Sequence, residues 1–426
     1  MTGTGESKSD SSGQLLNSDM GVGGLRSTLK PRPLGDDLHS ETMVLNLGPA
    51  HPATHGTVRI VVELAGEKIV NADVEIGYLH RGFEKMCETV GYNQVMPYTD
   101  RLNYVSPIIN NCGWCMTVER VLGVEVPLRA QYIRILLSEV SRICDHLTCL
   151  GAAAMELGGF TVMLYMMEAR EELWMLIEEV TGARLTISYA RVGGLKYDLP
   201  DDFGDKLLKA LDGLDKHLLN CDRLLTRNRI FVDRMCDVAV ISGEEAISYG
   251  LSGPMLRGSG VNYDLRKAYG YGGYDHFDFD VPLGTKGDNY DRFLVRFEEI
   301  RQSARIIKQA IAKMPSGAIA VDDPHIVIES KESVYNSIDG MINHFEMVIF
   351  GVKPPASDVY FAVEGGNGEL GFYLVSDGSG TPYKLHVRGP STIHMGIFKK
   401  AILGANLSDI IPTFGMTNMI GGECDK

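Results

Sequence analysis

Alternating apolar and polar positions mark the first folded part of the chain. Met43-Val44-Leu45-Asn46-Leu47 reads as a short strand that Gly48-Pro49 breaks. The β-branched run from Thr57 to Leu64 predicts a second strand, and Ile69 to Ile76 a third after the Ala65–Lys68 turn. Ala50 to Gly56 is then the loop between the first two strands. Further on the period changes. Ile133, Leu136, Leu137, Val140, Ile143, Leu147 and Leu150 follow helical spacing, with Arg134, Glu139, Arg142 and Asp145 available for another face. Leu173, Ile177 and Val180 continue the pattern, interleaved with glutamates that read as a solvated face. Phe203 to Arg223 and Tyr290 to Lys313 predict two more helices. Glu369 to Val375, then Asp377-Gly378, then Pro382 to Arg388, predict a β-hairpin. The expected fold is α+β and mainly helical: a helical bundle with a small N-terminal β-sheet and a late β-hairpin. Its parts are a polar tail over 1–41, read as extended or disordered, a β-rich part over 42–105, a bundle over 106–350 and a C-terminal part over 351–426.

One segment requires a membrane test. Leu147 to Met167 carries a single charge, Glu156, and is long enough to span a bilayer. Gly158-Gly159 interrupts it, and a mid-segment carboxylate is costly in lipid. A buried helix or helix pair is the better reading. Composition agrees with a globular chain: 426 residues, 44% hydrophobic and 23% charged, with a formal net charge of −14. That charge gives no electrostatic footprint for nucleic acid. It also removes any attraction to an anionic membrane surface. No apolar leader precedes residue 41, so the eight cysteines are expected to be reduced thiols rather than a disulfide framework.

Candidate chemistry sits at three places. His51 and His55 lie four apart, but Pro49 and Pro52 exclude the helix that would make them a zinc pair. They read either as a turn held by imidazole hydrogen bonds or as a proton donor on a loop tip. Cys112-Gly-Trp-Cys115 has the spacing of half a metal site or a redox pair. Without a second such pair it reads as small thiols in a helical core. Glu156 is a lone carboxylate in an apolar run. Either it sits in a polar cavity or its pKa is raised, and the alternative is a water-exposed rim where the helix ends.

The loop Gly48-Pro49-Ala50-His51-Pro52-Ala53-Thr54-His55-Gly56 then becomes decisive. With Ile76 to Lys85, Asp100 to Ser106, Arg257 to Lys267 and Gly368 to Tyr373, it closely resembles the 49-kDa subunit family of respiratory complex I, the D subunits of bacterial NADH–quinone oxidoreductases. The resemblance runs from about Met43 to near the C-terminus. It implies the fold of the nickel–iron hydrogenase large subunit. Hydrogenases hold nickel with two CxxC motifs. Here the first position reads Arg101-Leu102-Asn103-Tyr104 and the second keeps only Cys424, so no metal is expected in this chain. The vacated cavity is where the family binds quinone.

By the same resemblance, His55 and Tyr104 hold and protonate the quinone carbonyl. Glu156 stands where the family usually has an Asp that partners the histidine. Arg81 resembles an arginine beside the 4Fe-4S cluster of a neighbouring iron–sulfur subunit. Thr186 stands where many relatives have a histidine near that cluster, which implies a cluster potential less dependent on pH. The implied activity is NADH:quinone oxidoreduction coupled to proton translocation, with menaquinone or ubiquinone as substrate. The implied partners are the iron–sulfur subunit, other peripheral-arm subunits and membrane-arm subunits. The implied place is peripheral, on the cytoplasmic side of a bacterial inner membrane. A ferredoxin-fed or hydrogenase-like relative and a non-catalytic scaffold subunit are the alternatives.

Overall fold

The structure is a computed structural model that describes residues 42–54 and 56–426. The tail over 1–41 and His55 lie outside the described residues. The period-2 runs form an antiparallel sheet of β1 (Met43–Leu47), β2 (Arg59–Ala65) and β3 (Lys68–Glu75), in that order. Met43 faces Leu64 and Arg59 faces Glu75, with a register shift at Glu63/Leu64. Ile60, Val62, Leu64 and Ala72 are buried against Met395, Phe398, Ile402 and Phe414. The first sheet therefore finds its apolar cover at the far end of the chain.

The long helices are α1 (Pro107–Leu122), α2 (Leu128–Glu156), α3 (Phe160–Thr181), α4 (Phe203–Leu225), α5 (Asn289–Ala312), α6 (Ile338–Phe350), α7 (Pro390–Ile402) and α8 (Ile410–Thr417). Local chemistry sets their limits. Pro107 opens α1, where a missing N–H costs nothing, and Gly123 at φ 69° closes it. Asp288 caps α5 by accepting from the Asp291 amide at 2.8 Å. Gly158 at φ 89° and Gly159 separate α2 from α3. The 147–167 segment is thus a helix pair. Among the described residues no helix is long and apolar enough to cross a membrane.

The small ladder β4 (Ala190–Arg191) and β5 (Gly194–Leu195) follows α3. The late hairpin is β7 (Glu369–Ser376) with β8 (Lys384–Arg388). It belongs to a three-stranded sheet whose first strand, β6 (Ser357–Glu364), the sequence pattern had not marked. β6 pairs antiparallel with β7, Ser357 opposite Ser376 and Glu364 opposite Glu369.

α2 is the axis of the bundle and packs on α1, α3, α5 and α8. Its apolar spacing is as predicted, but its charged residues do not face water. Arg134, Glu139, Arg142, Asp145 and His146 are all buried. Burial makes each of them require partners. Glu139 accepts from Arg142 at 3.2 Å, Arg266 at 3.1 Å, Tyr274 at 2.7 Å and Ser303 at 2.6 Å. Arg257 meets Glu299 and Glu364, each at 2.8 Å, and Glu299 also meets His146 at 2.8 Å. Arg142 donates to the Glu364 and Gly365 carbonyls, each at 2.7 Å. Burial opposes ionisation of Glu139 and Glu299, yet the guanidiniums beside them hold both below the ordinary carboxylate range. Glu364 shifts the other way, raised by burial and by the neighbouring Asp264 charge. Burial lowers the His146 pKa despite the Glu299 carboxylate beside it.

Removing one partner from such a network leaves an uncompensated buried charge. Glu299→Gln is expected to cost about 3–5 kcal/mol. The exposed Arg305–Asp278 pair should cost under about 1 kcal/mol when cut by Arg305→Ala. Denaturant midpoints of the two variants check the contrast. Equal shifts would refute it.

Candidate functional site

The loop after β1 is built around tight backbone contacts. Gly48 has φ 89°, and a Cβ there would lie 2.1 Å from the Val58 carbonyl oxygen, so only glycine fits. A short 3-10 turn, Pro52–Thr54, follows, with the Thr54 amide and hydroxyl both donating to the His51 carbonyl at 3.1 Å. His51 is half-buried and lines a cavity of about 400 Å³ with Leu47, Thr54, Leu407, Ile410 and Ile411. α8 packs on this turn at one end and on α2 along its length. His55 itself lies outside the described residues.

The chain's end ties the other motif segments together. A Cβ on Gly422 would stand 2.2 Å from the Arg101 carbonyl oxygen and 3.2 Å from the Arg81 guanidinium. One on Gly421 would stand 2.9 Å from the Thr57 methyl. The Asp425 carboxylate accepts from the Leu79 amide at 2.8 Å and lies 3.6 Å from His80 Nδ1. Three segments distant in sequence, around Thr57, Arg81 and Arg101, therefore close on one C-terminal strap.

Tyr104 stands at this junction, 38% exposed, on the turn that precedes α1. Burial raises its phenol pKa, the Asp145 carboxylate raises it further, and Arg81 opposes them. Arg81 in turn is lowered by burial and by the like charge of Arg101. Arg81, Arg101 and Tyr104 all reach the surface here. Asp100 anchors the same turn from behind: it accepts from Ser188 Oγ at 2.6 Å and Asn111 Nδ2 at 2.7 Å. That ties it to the 182–189 loop, where Thr186 is exposed in a left-handed conformation at φ 52°.

Glu156 is in a different place. It is the last residue of α2 and half-buried, with Oε2 against α8, 2.7 Å from where a Gly415 Cβ would be. Tyr104 and Arg81 are thus brought together. Glu156 sits 11 residues beyond Asp145 on α2, roughly 16 Å along the axis at the helical rise.

Cys112 and Cys115 are buried in α1, and burial raises both thiols, Cys115 well above the usual range. Cys424 is pushed up to about 12 by burial. Among the described residues no group of three His, Cys, Asp or Glu side chains is placed to hold a metal ion.

Sequence reasoning missed two acids in the strap and on α2. Glu423 is fully buried beside Ser391, and burial pushes its pKa up to about 7, with Asp145 adding to the rise. Asp145 accepts three hydrogen bonds. Neither acid stands out in the sequence: Asp145 has Arg142 and His146 beside it on a polar helix face, and Glu423 lies between glycines and Asp425.

The fold and this junction define a class. The family model described as Respiratory-chain NADH dehydrogenase, 49 Kd subunit, matches residues 156–426. The chain belongs to that family. It is 55% identical over 390 residues to one of the D subunits of NADH-quinone oxidoreductase in Sorangium cellulosum, covering 91% of this chain and 96% of the relative. It is 54% identical over 392 residues to the NADH-quinone oxidoreductase D subunit of Myxococcus xanthus, covering 92% and 94%. It is also 49% identical over 397 residues to the NADH-quinone oxidoreductase C/D subunit of Bdellovibrio bacteriovorus, covering 93% and 71%.

Glu423 gives a pH test. Its folded pKa of about 7 lies above the ordinary 4.5. The stability it contributes is therefore full below pH 4.5 and is lost as pH rises to 7. Glu423→Gln should match the parent near pH 4 and exceed it at pH 8 by up to about 3 kcal/mol. Thermal unfolding at both pH values checks this, and a constant offset across the range would refute it.

Proposed function

We propose that this chain forms, with an iron–sulfur subunit, the cavity in which an energy-converting NADH–quinone oxidoreductase reduces and protonates quinone. The observation that carries the reading is the convergence of Tyr104, Arg81, the Thr57 end of the His-bearing loop and the C-terminal strap. Quinone reduction consumes two electrons and two protons, so donors must stand beside the carbonyl oxygens. Tyr104 donates from its hydroxyl at one carbonyl, and its raised pKa keeps that proton available near neutrality. His55, on the loop that the strap closes, is the second donor. Glu156, at the end of α2 and in the place of the family's acidic partner to the histidine, works through His55. The cavity beside His51 also carries Glu67, Asn406 and Ser408, but its apolar side of Leu47, Leu407, Ile410 and Ile411 suits an isoprenoid tail.

Electrons come from a 4Fe-4S cluster held by the partner. The exposed pair Arg81 and Arg101 faces that side, where fixed positive charge favours an added electron. Assembly supplies the surfaces that this chain leaves open: α6 exposes Ile338, Met341, Phe345 and Val348 along one stripe. Other peripheral-arm and membrane-arm subunits complete the complex, in which this chain sits peripherally on the cytoplasmic side of the inner membrane. The relatives, D subunits of NADH-quinone oxidoreductases, favour NADH as electron source over a ferredoxin-fed or hydrogenase-like complex or a bare scaffold.

His55→Ala and Tyr104→Phe should each lower quinone reduction roughly a hundredfold, the scale of a lost general acid. Cluster reduction by NADH should stay intact. Unchanged quinone turnover in both would sink the reading. Thr186 gives a second test. The cluster's midpoint should fall by much less than about 59 mV per pH unit, the one-proton, one-electron limit. Thr186→His should steepen it. A full slope in the parent protein would count against this role of Thr186.

A further inference from the structure

The turn that carries Tyr104 is held by a residue that neither the motifs nor the comparisons single out. Asp145 is 1% exposed, in the middle of α2. Its Oδ2 accepts from Asn103 Nδ2 at 2.7 Å and from Ser106 Oγ at 2.9 Å. These are the residues on either side of the Tyr104–Val105 pair. Asn103 passes the restraint on: its Oδ1 accepts from the Val105 amide at 3.2 Å, and its carbonyl accepts from Asn110 Nδ2 at 2.9 Å. Oδ1 of Asp145 accepts from Asn418 Nδ2 at 3.0 Å, just beyond α8. Gly366 closes the pocket, since a Cβ there would lie 2.1 Å from Asp145 Oδ2.

Two features make this more than packing. All three hydrogen-bond partners are donors, which matches a carboxylate and not an amide. All three are also neutral, and among the described residues no Lys, Arg or His forms an ion pair with Asp145 within 4.0 Å. Its charge is fixed but not cancelled at the site. The other carboxylates buried around the middle of α2, Glu139, Asp264, Glu299 and Glu364, each meet a guanidinium.

We propose that Asp145 is the positioning residue for Tyr104: its carboxylate fixes the Asn103–Ser106 turn and sets an uncompensated negative charge beside the phenol. This rests on the quinone-site reading above. The charge makes loss of the phenol proton unfavourable, and the turn gives that proton one direction. Asp145 on α2 and Arg81 from the segment before Phe83 are the charged groups that act on Tyr104, and they act in opposite senses. Removing the first leaves the second unopposed.

Asp145→Asn, made in the assembled complex, tests the proposal. It keeps the shape, removes the charge and puts donors where Asn418 or the turn already donates. Quinone reduction should fall at least about tenfold, the scale of one charge-assisted hydrogen bond, while NADH still reduces the clusters. The alkaline limb of the quinone-reduction profile should move to lower pH. In a Tyr104→Phe background the same substitution should add little further loss. Full activity with an unmoved profile, or an equal loss in both backgrounds, overturns the proposal. Should Asp145→Asn fail to assemble, Ser106→Ala decides. It removes one turn donor and leaves the carboxylate. A loss confined to the Tyr104-containing protein supports the positioning role, and no loss refutes it. If Tyr104→Phe alone leaves quinone reduction unchanged, the quinone-site reading fails. If only Asp145→Asn and Ser106→Ala are silent, this inference fails by itself.

Discussion

The structure depends on one constraint: α2 carries charge through a dry interior. An ionised side chain there is stable only when its partners stand at fixed positions. Besides Arg142 on its own helix, Glu139 recruits Arg266, Tyr274 and Ser303 from three other segments. His146 recruits Glu299 of α5, which recruits Arg257. Arg142 reaches the carbonyls at the β6–β7 turn. Each bond ties another element to one axis. Apolar contacts alone tolerate sliding and repacking more readily, whereas these pairs do not. The network is weak support for net stability and strong support for a single arrangement of the elements.

The same axis lays out the site. Glu139, Arg142, Asp145 and His146 recur at helical spacing, and Cys149, Ala153 and Glu156 extend the stripe. α8 lies along its lower part: Cys149 Sγ donates to the Gly415 carbonyl at 3.5 Å, Glu156 faces Gly415, and Asn418 reaches Asp145. Glycine at 415 is what lets the two backbones approach. The result is a ruler with one acid near Tyr104 and another against α8 at Gly415. The roughly 16 Å between them follows from helix geometry alone.

Much of this was legible in the chain. The three N-terminal strands, the break at Gly158-Gly159, the helices from Phe203 and near Tyr290, and the hairpin from Glu369 all followed from period and punctuation. β6 was not legible. Its burial is graded along the strand, from exposed Ser357 to buried Glu364, so no clean alternation appears. Glu156 stood out because one acid interrupted an apolar run. Asp145 did not, because Arg142 and His146 beside it made a polar face look solvated. Sequence spacing shows that charges share a face but not whether that face meets water. The strap was equally hidden: Gly421-Gly422 has no pattern of its own, and its meaning comes from the Arg101 carbonyl pressed against it.

Charge around the junction is sorted by depth. Arg81 and Arg101 lie at the surface, while Asp145 and Glu423 lie buried behind Tyr104 and the strap. On the proposed quinone-site reading, the two sets would favour different steps of one reaction: cations at the rim would lower the energy of an electron arriving from outside. Burial, with the Asp145 charge adding to it, raises both the Tyr104 phenol and the Glu423 carboxyl, the latter to about 7. An added electron makes a carbonyl oxygen more basic, and only then does a retained proton become worth transferring. A phenol with a lowered pKa would give up its proton to solvent before the electron came. On the quinone-site reading proposed above, the segregation of cations outside from acids inside favours an order, electron before proton, without any group having to move.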